Sequence, residues 1–423
     1  MSMLILAIYL GFFLLNFLLD WFLNILNINF ALKHHALAPT DLEDHVDKSS
    51  YIRNVEYNLR RARFNLVHSL VGRTLILIIL FTGLAGTLDT LVDSMNLSPY
   101  WQGLIFLILV LMLFWVVSLP SSLYSQFVIE EEFGLNTTSL RTFFSDIAKK
   151  ALIILLNLAG ILGGFYIILK WGSDWWWIWA GVFMMPAQLL MQVLFPLLIA
   201  PLFNKFSPLP DGTLRKRLAV LADHCKFPNR GIFIMDGSRR SRHSNAYFTG
   251  IGRVRRIVLF DTLIDSLQES EIEAVLAHEI GHWKFGHILK RLAVSTFGSF
   301  ILFGLIELIL NWENFYPAFG FDSPSPHALL FCLIFYLKPL SSFFSPIFNG
   351  RSRRHEYQAD QFAVKQMGDS TSLGQALLKL GKNNLSNLRP HPAYSFWHYS
   401  HPALPERIAA LKPKSQNSPS SNR

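Results

Sequence analysis

The sequence predicts a mainly α-helical, polytopic membrane protein with a split water-facing domain. Three observations predict it. Hydrophobic residues make up 51% of the 423 residues and charged residues only 16%, against about 25% charged in a soluble domain, and mean hydropathy is +0.32. Seven apolar runs are long enough, or nearly so, to cross a bilayer, which takes about 20 residues. Two polar stretches, 204–290 and 350–411, flank the last two runs. The 36 Phe and 11 Trp exclude a disordered or fibrous chain.

The seven runs are Leu4 to Leu26, Thr74 to Val92, Leu104 to Leu123, Ala151 to Leu169, Trp175 to Phe203, Leu292 to Leu310 and Ala328 to Phe348. The first lacks a basic leader and a small-residue cleavage site, and its apolar part is too long for a signal peptide. Lys and Arg concentrate in loops one, three and five and in the C-terminal region, whereas loops two and six have none. The positive-inside rule then puts those basic loops in the cytoplasm and the N-terminus on the opposite side. The net charge of +9 is accounted for by these loops, without a nucleic-acid partner. Four ionisable residues fall inside apolar runs: Asp20, Asp89, Glu307 and Lys338. Charge in hydrocarbon costs at least ~2.5–3.5 kcal/mol, so each is expected to face a wet cavity, a partner or the interface.

This gives five regions: spans one to five with their loops (1–203), a first soluble piece (204–290), spans six and seven (291–349), a second soluble piece (350–411) and a Ser/Pro/Asn/Lys-rich disordered tail (412–423). The soluble pieces share one side of the membrane and can assemble into one domain. Cys225 and Cys332 lie in polar and apolar surroundings respectively, so no disulfide is expected and no oxidising compartment is needed. Gly231–Asp236, Asn245–Thr249 and Val254–Phe260 read as short strands. Ser270 and Glu273 have capping-box spacing, and the helix they open runs unpunctuated toward span six.

That helix carries His278-Glu279-Ile280-Gly281-His282. Residues four apart share a helix face, so both imidazoles can meet one ion, with Glu279 placed as base toward the water it activates. Zinc lowers the pKa of such a water to about 7. A third ligand is required. Glu356 and Asp360 share a face of a second helix after span seven. Glu356 can complete a His2Glu set with one position open, and Asp360 can accept the other ring N–H of a ligating histidine. His355 and His287 are rival third ligands; His287, on a rotated face of the same helix, otherwise lines the membrane-side mouth of the site.

These motifs resemble the type I CAAX prenyl endopeptidases, integral-membrane zinc proteases that cleave prenylated C-termini. Beside the seven spans, the likeness is carried by Phe127-Val128-Ile129-Glu130 with Phe133-Gly134, and by Pro201-Leu202-Phe203-Asn204-Lys205-Phe206. It continues through Ser238 to Phe248, HEIGHWKFGH, Glu356 to Asp360 and His401-Pro402-Ala403-Leu404-Pro405-Glu406-Arg407. The resemblance implies one Zn2+ on His278, His282 and Glu356, with Glu279 as general acid/base. It implies that Asn245-Ala246-Tyr247 is a substrate-binding edge strand, that His401 stabilises the oxyanion, and that Arg407 stands in the same surroundings. It also implies a ring of tilted helices around a water-filled chamber, capped by a split α+β, gluzincin-like protease domain. The implied partners are membrane lipids and a peptide or protein substrate, C-terminally prenylated in the family. Compact loops and a short tail without an ER-retrieval signal point to a bacterial homologue in the inner membrane, the ER being the eukaryotic counterpart. Two other readings are a quality-control protease for unprenylated membrane proteins and a transporter or lipid channel with structural zinc. A structural site is closed by four ligands and needs no adjacent base, so Glu279 argues against the last.

Overall fold

The computed structural model describes residues 1–412, apart from 37, 44, 172–173, 229, 251–254 and 311; the side chains of 41, 171 and 335–338 also lie outside the described set. The Lys338 side chain and residues 413–423 of the expected tail therefore fall outside it.

The membrane part begins with α1 (Ser2–Lys33), α2 (Lys48–Phe81) and α3 (Leu84–Asp93). Next comes α4 (Pro99–Tyr124), which runs through a π-helical turn into α5 (Glu130–Glu132). It continues with α6 (Leu140–Trp171), and with α7 (Trp176–Leu194), which ends through a second π turn in α8 (Ala200–Phe203). The soluble piece follows: β1 (Phe206–Pro208), α9 (Thr213–His224), β2 (Ile232–Met235), β3 (Ala246–Thr249), β4 (Arg256–Phe260), α10 (Asp261–Ser266) and α11 (Glu269–Lys284). Then come α12 (His287–Leu310), α13 (Pro326–Phe343), α14 (Ser345–Met367), α15 (Thr371–Asn383), α16 (Pro392–His398) and α17 (Leu404–Leu411). Among the described residues, seven helices are long and apolar enough to span a membrane, as the sequence predicts.

Several boundaries differ from the sequence reading. The second span was expected at Thr74 to Val92, but α2 begins at Lys48 and the apolar helix stops at Gly83, whose positive φ breaks it. The seventh ends at Phe343, where Pro346 in the first turn of α14 starts a new helix. Helix α11 is capped by Gln268 with Glu271, not by Ser270 with Glu273. The three-residue spacing holds, but Glu273 instead pairs with Arg217 at 2.6 Å. The helix is also punctuated: Gly286, at φ +64°, separates α11 from α12, so His287 opens a new helix.

The four strands form one sheet in the order β1-β2-β4-β3, with β2 and β4 parallel and the other pairs antiparallel. β3 is therefore an edge strand. One apolar core joins this sheet to α9, α11, α14, α15 and α17, and it also takes in Leu42, Tyr51, Val55, Leu59 and Leu66. The polar-looking first half of α2 thus helps to build the soluble core, which the sequence did not suggest. A second core lies among the spans, closed at one end by Phe315, Tyr316, Phe319 and Phe321 from the loop between α12 and α13.

Three of the four intramembrane ionisable residues, Asp20, Asp89 and Glu307, have partners among the described residues. Asp20 meets Arg73 at 3.0 Å, Asp89 meets His327 at 2.6 Å, and Glu307 accepts a hydrogen bond from the Trp176 indole. Arg240 grips Asp146 through two bonds of 2.6 and 3.0 Å and also reaches Asn204, tying the soluble piece to the start of α6. The free thiols of Cys225 and Cys332 are both buried. Inside the span bundle, a cavity of about 930 Å³ is lined by residues that include Tyr9, Arg73, Leu107, Ser118, Asn157 and Phe331.

Candidate metal centre

The site is made where α11 crosses α14. Small residues let the two backbones approach: a Cβ on Gly281 would lie 3.0 Å from Ala359 Cα, and Ala277, Ala359 and Ala363 are fully buried. This close crossing turns His278 and His282 of α11 toward Glu356 of α14. His278 is buried, as are Glu356 at 4% exposure and Asp360 at 2%.

The donor atoms fit a cation. The His278 and His282 Nε2 atoms are 3.1 Å apart, and each is 3.4 Å from a Glu356 carboxylate oxygen. All three ligand atoms lie within 4.8 Å of one another. A tetrahedral ion with bonds of about 2.1 Å places its ligands roughly 3.4 Å apart, which matches this triangle. The side left open faces a cavity of about 610 Å³ whose wall includes Glu279, Asn245, Ala246, Tyr247 and His401.

Surrounding groups fix the tautomers. Asp360 Oδ1 is 2.8 Å from His278 Nδ1 and takes its proton in a hydrogen bond, leaving Nε2 free toward the site. Asp360 is itself held by Arg407 through bonds of 2.5 and 2.9 Å. On the other histidine, His282 Nδ1 lies 2.9 Å from His287 Nδ1, and His287 Nε2 lies 3.0 Å from Gln358 Oε1. An amide oxygen only accepts, so the proton on His287 sits on Nε2. His287 Nδ1 then accepts from His282 Nδ1–H, and His282 Nε2 is free as well. The opposite orientation of the Gln358 amide would reverse the chain and protonate the atom that faces the site.

Charge follows the same logic. Burial raises both Glu356 and Asp360, but the hydrogen bond from His278 and nearby positive charge, including Arg407 on Asp360, outweigh it and hold both near 2. Burial lowers His278, yet its bonds to Asp360 and Glu356 win and lift it to about 9. Burial and the neighbouring His278 bring His282 down to about 3. Burial pushes Glu279 up to about 7, aided by Glu356 and opposed by His278 and Arg407.

The expected residues are distributed unevenly around this centre. His278, His282, Glu356, Asp360 and Glu279 converge. His401 comes from the loop before α17, with Nε2 3.4 Å from Glu356 Oε1 and an exposed side chain. Arg407 is partly buried against Asp360, 3.9 Å from Glu356, and also lines the cavity. Asn245 precedes β3 and is exposed, its Oδ1 accepting from the Ala246 amide at 2.8 Å. His287 and His355 lie outside this triangle of donors. His287 stands behind His282, and His355 stacks on His287 at 3.9 Å. Gln358 was missed by sequence reasoning: a glutamine inside HEYQAD carries no signal until α14 is laid beside residue 287.

Comparison with known proteins covers most of the chain. Residues 27–205 match the model of the CAAX prenyl protease N-terminal region, described as five membrane helices, and residues 208–415 match peptidase family M48. The chain belongs to the CAAX prenyl protease 1 group of peptidase family M48. It is 36% identical to an Arabidopsis thaliana CAAX prenyl protease 1 homolog, covering 95% of this chain and 96% of the relative. It is 38% identical to Saccharomyces cerevisiae CAAX prenyl protease 1, covering 88% of each. The crystal structure of S. mikatae Ste24p superimposes with a TM-score of 0.89 at 34% identity, covering 96% of this chain and 98% of that one. This M48 member is thus a multi-pass integral-membrane metalloendopeptidase.

Proposed function

We propose that this M48 protease uses zinc to hydrolyse peptide bonds near the C-terminus of prenylated, CAAX-type substrates. The names of its relatives support the substrate class. The observation that carries the chemistry is the triangle of His278, His282 and Glu356 donors with Glu279 beside it. Two imidazoles and one carboxylate form a catalytic rather than a structural set for zinc. Zinc bound there supplies Lewis-acid polarisation of a carbonyl and a more acidic water.

The rest is done by the chain. An extended peptide adds to the free edge of β3 along Asn245, Ala246 and Tyr247, and the Asn245 amide steadies it beside the scissile bond. Glu279 takes the proton of the attacking water and returns it to the leaving amine. His401 donates to the oxyanion; losing one such donor typically costs ~10²–10³ in rate. Asp360 and the His287–Gln358 pair hold each liganding ring in its productive tautomer, and Arg407 positions Asp360. The basic loops place the 204–290 and 350–411 pieces, as one split protease domain, on the cytoplasmic face with the N-terminus opposite.

The test compares purified wild-type and Glu279→Gln protein on a farnesylated peptide and its unlipidated match, with metal content measured on both. Glu279→Gln is expected to keep its zinc and lose at least ~10²–10⁴ in turnover, and wild type to favour the farnesylated peptide. Wild-type turnover by Glu279→Gln would sink the mechanism. Equal rates on the two peptides would sink the prenyl-dependent reading.

A further inference from the structure

The cavity at the metal centre continues toward the membrane along α12 and α14. Arg291 and Arg351 line it, and nothing in the chemistry above uses them. Moving away from the donors means rising residue number on α12 and falling number on α14. The two helices are in step at His287 and His355, whose rings stack at 3.9 Å with planes 9° apart. One turn farther, about 6 Å along each axis, come Arg291 and Arg351. About one turn beyond these, Val294 and Phe348 line the same cavity. Arg291 and Arg351, both exposed, therefore stand at matching levels of the two helices and line one cavity, with Val294 and Phe348 beyond them.

Among the described residues neither arginine is in an ion pair. The third arginine in the lining of this cavity, Arg407, is committed to Asp360. Two like charges sharing a cavity repel unless an anion lies between them. A guanidinium matches a carboxylate in shape and binds it through two parallel hydrogen bonds.

We infer that Arg291 and Arg351 form a subsite for the free C-terminal carboxylate of the peptide substrate. The inference rests on the endopeptidase reading. The peptide adds to β3 and passes the donors with its C-terminal end toward the membrane, where the arginine pair receives it. From Glu356 to Arg351 the helix rises about 7.5 Å, and an extended peptide covers about 3.3 Å per residue. The anchored end thus lies only a few residues beyond the scissile bond, and the site selects for chain ends over internal peptide bonds.

The experiment uses full-length wild type, Arg291→Gln/Arg351→Gln and Arg291→Lys/Arg351→Lys, each reconstituted in phosphatidylcholine vesicles with and without phosphatidylglycerol. Each protein is given one peptide in two forms, C-terminal acid and C-terminal amide, and the readout is the acid-to-amide ratio of kcat/KM. Wild type is expected to prefer the acid by on the order of ten- to a hundredfold, the range of a charge-assisted contact. The preference should arise in KM. The Gln variant should bring the ratio to about one with zinc content and Tm retained, and the Lys variant should restore part of it.

A wild type that cleaves acid and amide equally overturns the anchor and leaves the protease reading standing. A wild type that holds zinc and cleaves neither overturns both. A Gln variant that keeps the wild-type ratio overturns the anchor. So does one whose activity falls equally on both peptides only when phosphatidylglycerol is present, which would make the pair a lipid-headgroup site.

Discussion

The α11–α14 crossing and the wall of the transmembrane cavity are built on opposite packing principles. At the crossing, glycine and alanine bring two backbones together until no room is left for another carbon at Gly281. In the cavity wall, Gly72 of α2 has open space where a side chain would begin. Both regions use small residues, but one uses them for contact and the other leaves them uncontacted. The difference teaches where this protein needs accuracy. Three donor atoms must be held a few tenths of an ångström from a tetrahedral arrangement, whereas the cavity only has to stay open.

Substitutions can break or sharpen that contrast. The largest effect is expected at the ring of bonds behind the metal donors. Asp360→Asn removes the charge that orients His278 and is expected to weaken zinc affinity by about 10–100-fold, measured by competition with a chelator of known affinity. Gly281→Ala comes next. Its new methyl would press on Ala359 backbone, which cannot rotate away, so a loss of about 1–3 kcal/mol in stability is expected, with weaker metal retention read on the same sample. A Gly281→Ala protein as stable as wild type would show that the crossing is looser than its geometry.

A smaller effect is expected with pH. Glu279 acts as a base only when ionised, and burial raises its carboxyl to about 7. Activity is therefore present above this pKa and lost as pH falls through it. A cation at the three donors favours the ionised form, so the acidic limb of kcat/KM is expected at or below pH 7, with metal occupancy constant across it. The smallest effect belongs to the cavity wall. Gly72→Ala meets nothing within 4 Å and is expected to change stability by less than about 0.5 kcal/mol, by thermal unfolding in detergent. A large loss there would erase the contrast between the two regions.

The spans, the metal helix and its partner helix could be read from the sequence because each is encoded by local spacing. Twenty apolar residues specify a crossing wherever they stand. A His–His or Glu–Asp pair four residues apart shares a face once the segment is helical. The sequence by itself thus determined the seven helices, the His278, Glu279 and His282 face, and the Glu356, Asp360 face that supplies the third donor. Only the tertiary structure set Glu356, and neither His355 nor His287, in one triangle with the two imidazoles. That choice depends on how α11 meets α14 and on the turn at Gly286, which places His287 behind His282 instead of beside the site. It also decided that the first half of α2 belongs to the soluble core, that Gln358 sets a tautomer 76 residues away from itself in the chain, and that Arg291 and Arg351 line one cavity. The physical reason is common to these cases. Periodicity along one helix tells which residues share a face, but what that face meets is fixed only by packing between helices distant in the chain.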